Sequence, residues 1–302
     1  MEQTNQTTRN NCEKKVAMRV STVTLIGNVI LSLFKLLAGI IGNSGAMISD
    51  AVHSASDVFS TFIVMVGFQL SSKESDEKHP YGHERLECIA SLILAVLLLA
   101  TGMGIGISGI EKIIGGNYGE LQVPKSLALI AAVISILVKE WMYRYTRVAA
   151  KNINSGALMA DAWHHRSDAL SSIGAFAGII GAKMGFPILD PIASVIICLF
   201  IGKVAFEIFK DALDKMIDKS SDTQTEEKMK EIVIEQEGVI DIDNFKTRLF
   251  GSKIYVDVEI VVDGQKSLNE THEIAHKVHD AIENEFKAVK HCMVHVNPEL
   301  RK

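Results

Sequence analysis

Asp50-Ala51-Val52-His53-Ser54-Ala55-Ser56-Asp57 and Asp161-Ala162-Trp163-His164-His165-Arg166-Ser167-Asp168 are two copies of one pattern, each set inside a long apolar stretch. Aligned on His53 and His164, five of the eight positions agree: Asp, Ala, His, Ser and Asp. In each copy the His and the last Asp are four apart, hence neighbours on one helical face. A single such pair reads equally well as a polar contact between helices. Two matching pairs do not, because ionisable groups deep in an apolar segment are expensive enough to mark function. Packed together, the two helices would offer His53, Asp57, His164 and Asp168 at one depth. Two imidazoles and two carboxylates are four N/O ligands, the number a tetrahedral Zn²⁺ takes. Asp50 and Asp161, three residues before each His, lie on nearly the same face, either to orient the imidazoles or to serve as ligands themselves. His165 points about 100° around the helix from His164 and reads as a neighbour.

Around these motifs the 302-residue chain divides by composition. Residues 1–15 are polar, 16–210 are dominated by Leu, Ile, Val, Ala and Gly, and 211–302 are rich in charge. Six apolar stretches, 16–41, 44–70, 86–110, 123–143, 155–183 and 188–209, approach the roughly 20 residues a helix needs to cross a bilayer, and several carry ionisable residues. A soluble helical core is a poor alternative, since six such spans leave too little polar surface to cover them. The net charge of −5 is mild and no basic block offers a nucleic-acid footprint. No P-loop or GxSxG occurs, which argues against an ATP-driven pump. Cys12, Cys88, Cys198 and Cys292 form no CxxC pair and read as free thiols. The polar start predicts no cleavable signal peptide before the first span.

Lysine and arginine in the connections set the predicted orientation. Arg9, Lys14, Lys15 and Arg19 precede span one; Lys73, Lys78 and Arg85 follow span two; Arg144, Arg147 and Lys151 follow span four. The opposite connections carry only Lys112, Lys125 and Lys183. Both termini are therefore expected in the cytosol, in a bacterial-type cell membrane. Beyond Asp211 the period changes: a helix over 225–236, strands over 240–249 and 253–262 with a turn at Gly251, a helix over 267–286 opened by Ser267-Leu268-Asn269-Glu270, and a strand over 292–296. An αββαβ order suits a small sheet covered by helices on one face.

The paired HxxxD, the stretch His79-Pro80-Tyr81-Gly82-His83-Glu84-Arg85-Leu86-Glu87 before span three, the six spans and the charged tail together resemble the cation diffusion facilitators, over residues 14–298. The resemblance implies an α-helical membrane protein of six transmembrane helices plus a C-terminal ferredoxin-like α+β cytosolic domain. It implies a homodimer exporting divalent metal, and His53, Asp57, His164 and Asp168 match the family's transport site. Within the family, His in both motifs goes with zinc, and imidazole with carboxylate suits Zn²⁺ chemically; Cd²⁺, Co²⁺, Fe²⁺ and Mn²⁺ stay open. Protons are the natural counter-ion, because they compete with Zn²⁺ for the same imidazole lone pair. Gly102-Met103-Gly104-Ile105-Gly106 in span three permits close helix approach.

Other clusters admit two readings each. Asp76, His79 and His83, spaced DxxHxxxH, match positions where some relatives bind a further metal, or are ordinary loop residues. In the tail, Asp257, His272 and His295 match ligand positions of a binuclear site, while Asp243 and Asn297 depart from it. His272, His276 and His279 form one helical stripe. His272-Glu273-Ile274-Ala275-His276 also spells the zinc-peptidase HExxH. A membrane-anchored peptidase is thus an alternative, as is a non-transporting metal sensor, though neither explains the ligands inside the spans. Finally, Arg85 matches a family position where a basic residue meets an acidic one beyond span six; Asp214 is the expected partner, with Asp211 and Asp218 as alternatives.

Overall fold

The computed structural model describes residues 2–41, 45–115, 126–183 and 188–299; side chains at several helical positions, Asp50 and His53 among them, fall outside the described set. The chain divides into two compact units, Met1–Leu213 and Asp214–Lys302.

Six long helices build the first unit: α1 (Glu2–Ile41), α2 (Gly45–Ser71), α3 (Arg85–Gly115), α4 (Ser126–Asn152), α5 (Gly156–Lys183) and α6 (Leu189–Met216). α1 packs on α2 and α4, α4 on α5, and α3 on α2 and α5. The polarity is inverted relative to a water-soluble bundle. Asn28, Asp57, Thr61, Lys139, His164 and Asp168 are buried, whereas Ile30, Leu37, Phe59, Leu137, Leu199 and Phe206 are exposed. An apolar exterior around a polar interior is the arrangement a hydrocarbon solvent selects. Among the described residues, Glu13–Ala38 and Arg85–Gly115 are long and apolar enough to cross a bilayer by composition alone. Stretches four and five are interrupted by Lys139, Glu140, Asp161, Arg166 and Asp168, which makes them less continuously apolar.

Several helices outrun the predicted spans. α4 continues from the expected end at Tyr143 to Asn152, and α6 to Met216. Hydropathy reports only the apolar part of a helix, and backbone hydrogen bonding carries on through Arg144, Arg147 and Lys151. Two of the three glycines quoted from span three allow a close approach, while a Cβ at Gly104 would meet nothing within 4 Å. A Cβ at Gly102 would lie 2.7 Å from Ile201 Cγ2, and one at Gly106 would overlap the Cys198 side chain, so α3 and α6 touch closely there.

The second unit follows the expected αββαβ order: α7 (Thr223–Ile234), β1 (Asp241–Phe250), β2 (Lys253–Val262), α8 (Leu268–Glu285) and β3 (Val289–Pro298). β1 and β2 form an antiparallel hairpin closed at Phe250↔Lys253, with Gly251 at φ 64 in the turn. β3 joins β2 in parallel and lies at a sheet edge, in the order β1-β2-β3. It exceeds the expected 292–296 because pairing runs the length of β2, from Ile254↔Val289 to Val262↔Pro298. Met229 and Val233 of α7 and Ile274, Val278 and Ile282 of α8 pack with Val256, Val258 and Ile260 in one core. Both helices therefore cover the same sheet face. The Ser267 hydroxyl and the Glu270 carboxylate complete a reciprocal capping box at the start of α8.

Candidate metal centre

α2, α4 and α5 converge on Asp57, Lys139, His164 and Asp168. The imidazole Nε2 of His164 sits 3.4 Å from Asp57 Oδ1 and 4.0 Å from Asp168 Oδ2. One ligand atom from each of Asp57, His164 and Asp168 falls within 4.8 Å of the others, and all three side chains are buried. His164 Nε2 is enclosed without a hydrogen-bond partner among the described residues. A buried imidazole nitrogen facing two carboxylates is a donor set that suits a shared cation. Three of the four residues expected from the sequence are thus brought together. The fourth, His53, belongs to α2 one helical turn before Asp57; its side chain and that of Asp50 lie outside the described residues.

The bare sequence reading missed the fourth charged member. Lys139 of α4, 1 % exposed, donates to Asp57 Oδ2 at 2.5 Å, to Asp168 Oδ2 at 2.9 Å and to Asn28 Oδ1 of α1 at 3.0 Å. Each N–H of the ammonium has its own acceptor. The two carboxylates are therefore bridged by a tethered cation where a free one would sit. The signal was present: a lysine inside an apolar span is itself a functional marker. Beside it, Arg166 Nη1 of α5 donates to both oxygens of Glu140 at 2.7 and 2.8 Å, tying α4 to α5.

Asp161 is fully buried and faces two neighbours. Thr61 of α2 donates to its Oδ1 at 3.4 Å, and His165 Nε2 lies 3.6 Å from its Oδ2. The His165 ring centroid is 6.4 Å from that of His164, so the adjacent histidine serves this separate pair.

The loop between α2 and α3 gathers Asp76, His79 and His83. His83 Nδ1 lies 3.1 Å from the Glu74 carbonyl, which can only accept, so the ring hydrogen is there. Nε2 lies 3.5 Å from Asp76 Oδ2. His79 Nδ1 is 3.3 Å from Asp76 Oδ1. Hydrogen bonds from the Lys73 ammonium and the His79 amide hold Asp76 well below the usual carboxylate range, so it is charged throughout the neutral range.

In the second unit the expected tail ligands do not converge within one chain. β2 points Val256, Val258 and Ile260 into the core under α8, which leaves Asp257 on the opposite face. His295 lies on the exposed side of β3, opposite Glu259 rather than Asp257. His272 sits exposed on α8, across the sheet from both. On the open face, Asn297 donates to Asp243 at 2.8 Å and reaches Glu259 at 3.4 Å, tying together the two positions that depart from the family pattern. The HExxH stripe lies on the solvent side of α8, with His272 and His276 stacked edge to face at 4.9 Å and Glu273 exposed. Arg85 opens α3 in the first unit; Asp214 belongs to the second, where it accepts from Lys219 Nζ at 3.2 Å.

Comparison with known proteins agrees with this division. Residues 21–217 match the family profile of the cation efflux transmembrane domain, and residues 222–299 that of the cation efflux protein cytoplasmic domain. The chain is 36% identical over 275 residues to an uncharacterized transporter, MJ0449, of Methanocaldococcus jannaschii, covering 91% of this chain and 96% of that protein. It is 32% identical over 292 residues to the manganese efflux system protein MneP of Bacillus subtilis, covering 94% and 97%. A third relative, the magnetosome protein MamB of Magnetospira, is 31% identical over 271 residues, covering 90% and 92%.

Proposed function

The chain belongs to the cation efflux family, the cation diffusion facilitators, and on that premise we propose that it exports Zn²⁺ from the cytosol in exchange for protons. The observation that carries this reading is the convergence of Asp57, His164 and Asp168 at one depth between α2 and α5. His53 completes the set by its position one turn from Asp57. Two imidazoles with two carboxylates favour Zn²⁺ over harder ions. All six helices of the first unit are taken to span the membrane, with both termini in the cytosol, as the lysine and arginine distribution supports. The match to the family's cytoplasmic domain supports a homodimer.

In the cycle, metal enters from the cytosolic side and takes the place of the Lys139 ammonium between Asp57 and Asp168. Rocking of helix groups around a fixed midplane site is the general pattern for secondary carriers. On the far side, protons and the returning ammonium compete with the metal for the same donors, and release follows. Lys139 thus makes metal loading an exchange of one cation for another.

One relative supports a second reading for the substrate, since MneP carries manganese in its name. Flux in proteoliposomes separates the two: purified protein, an imposed pH gradient, and Zn²⁺, Mn²⁺, Co²⁺, Cd²⁺ and Fe²⁺ offered in turn. Zn²⁺ is expected to move fastest and to carry protons the other way. Mn²⁺ outrunning Zn²⁺ would overturn the substrate, and flux indifferent to the pH gradient would overturn the antiport.

A further inference from the structure

A third convergence of ligand atoms lies in the Asp214–Lys302 unit, at residues outside the Asp257, His272 and His295 set. His279 and Glu283 are one turn apart on α8, and His291 comes from the facing edge strand β3. Their ligand atoms all fall within 4.8 Å of one another. His279 Nε2 is 3.3 Å and His291 Nδ1 3.2 Å from the same carboxylate oxygen, Glu283 Oε1.

The tautomer of His279 is fixed by its other nitrogen. Nδ1 lies 2.7 Å from the Cys292 carbonyl oxygen, which can only accept, so Nδ1 carries the hydrogen. In the neutral ring Nε2 then directs a lone pair at a carboxylate oxygen, and two acceptors face each other. A cation between them resolves that contact. An imidazole held by a backbone carbonyl through one nitrogen while the other binds metal is the common way proteins orient such ligands. Glu283 is held as well, because its Oε1 accepts from the Cys292 amide at 2.9 Å. The spacing also fits. With bonds of about 2.0–2.1 Å, neighbouring ligand atoms of a tetrahedral zinc site lie about 3.3–3.4 Å apart.

We propose that His279, Glu283 and His291 bind a divalent cation of the Zn²⁺ class, tying the C-terminal half of α8 to the edge strand β3. Two imidazole nitrogens and one carboxylate select Zn²⁺ or Co²⁺ over Mg²⁺ and Ca²⁺, which take oxygen donors. Water fills the fourth position on the open side, where the His291 side chain is 47% exposed. The neighbouring Cys292 side chain is buried in the apolar core and is not one of the converging groups. This site is independent of the transport reading and stands or falls by binding alone.

The test counts bound metal in the purified full-length protein. A parent variant carrying Asp168→Ala, His79→Ala and His83→Ala silences the helical and loop clusters. After dialysis against Zn²⁺ the parent is expected to retain one equivalent per chain that disappears on adding His279→Gln or His291→Gln. With Co²⁺ the parent shows the intense visible absorption of a tetrahedral ion, and the same two substitutions abolish it. His272→Gln leaves both readings unchanged. Should His279→Gln fail to fold, His291→Gln on the exposed edge carries the test alone. A parent without the extra equivalent, or one whose equivalent and Co²⁺ spectrum survive His291→Gln, overturns the site; in that case the cluster is a pair of protonated imidazoles on Glu283.

Discussion

Replacing Lys139 with methionine keeps the unbranched apolar stem of the side chain and removes the cation that bridges Asp57 and Asp168. The ammonium makes two charge-assisted hydrogen bonds, at 2.5 and 2.9 Å, that an incoming metal has to displace. Hydrogen bonds to charged groups contribute about 1.5–3 kcal/mol each. Two at the lower end give about 3 kcal/mol, and with about 1.4 kcal/mol per decade the variant should bind Zn²⁺ about a hundredfold more tightly. Breaking a buried pair also leaves its partner charges uncompensated, at about 3–5 kcal/mol, so the metal-free variant should unfold at lower temperature and regain stability when Zn²⁺ is added. Tighter holding slows release, and turnover should fall although binding improves. Competition against a chromophoric chelator in detergent measures the affinity, with His83→Ala and His291→Gln in both proteins to silence the loop and tail clusters and pH held at 8. Thermal unfolding with and without metal gives the second reading, and proteoliposome flux the third. A Zn²⁺ affinity within twofold of the unsubstituted protein would refute the exchange of one cation for another, whatever happened to flux.

Asp57→Ala and Asp168→Ala should each abolish Zn²⁺ flux while leaving a folded protein by size-exclusion chromatography; flux within twofold of the unsubstituted chain would remove the site assignment. His53→Asp replaces an imidazole by a harder donor, and is expected to raise Mn²⁺ flux relative to Zn²⁺ in the metal panel; an unchanged ranking would show that His53 does not touch the metal. Ser267→Ala deletes the hydroxyl that caps α8 and should destabilise the second unit by about 1 kcal/mol in denaturant unfolding. Hydrogen bonds from the Ser267 amide and hydroxyl hold Glu270 below the ordinary glutamate value. Its stabilisation is therefore present above that ordinary value and lost as pH falls through the lowered one. Stability measured across that acidic window should decline in the unsubstituted protein and lose this component in Glu270→Gln.

Much of this architecture could be read from residue order because its signals are local. The HxxxD repeat, the Ser267–Glu270 cap and the alternation in β2 each declare themselves within a few residues. The Lys139 bridge does not, since nothing near it in the chain says which helices it will face. Its partners lie 29, 82 and 111 residues away. The His279–Glu283–His291 cluster was hidden for a related reason. The histidine stripe on α8 was visible by spacing, but the facing residue depends on where β3 sits along the sheet edge. Asp257 shows the converse: alternation assigns a strand residue to one of two faces, and only packing decides which face the helices cover.

The Lys139 bridge also bears on how the chain is made. A charged side chain at the centre of a single inserting helix costs about 2.5–3.5 kcal/mol. Asp168 follows Lys139 by 29 residues, on the helix that packs directly against α4. Those two helices can enter the bilayer as one hairpin whose opposite charges already meet. Asp57 precedes the lysine by 82 residues, so on the proposed six-span arrangement it would reach the membrane before Lys139 is made. On that arrangement the first half of the bundle would therefore pass through a stage of biogenesis in which its carboxylate waits for the second, and the ribosome would set the length of that wait.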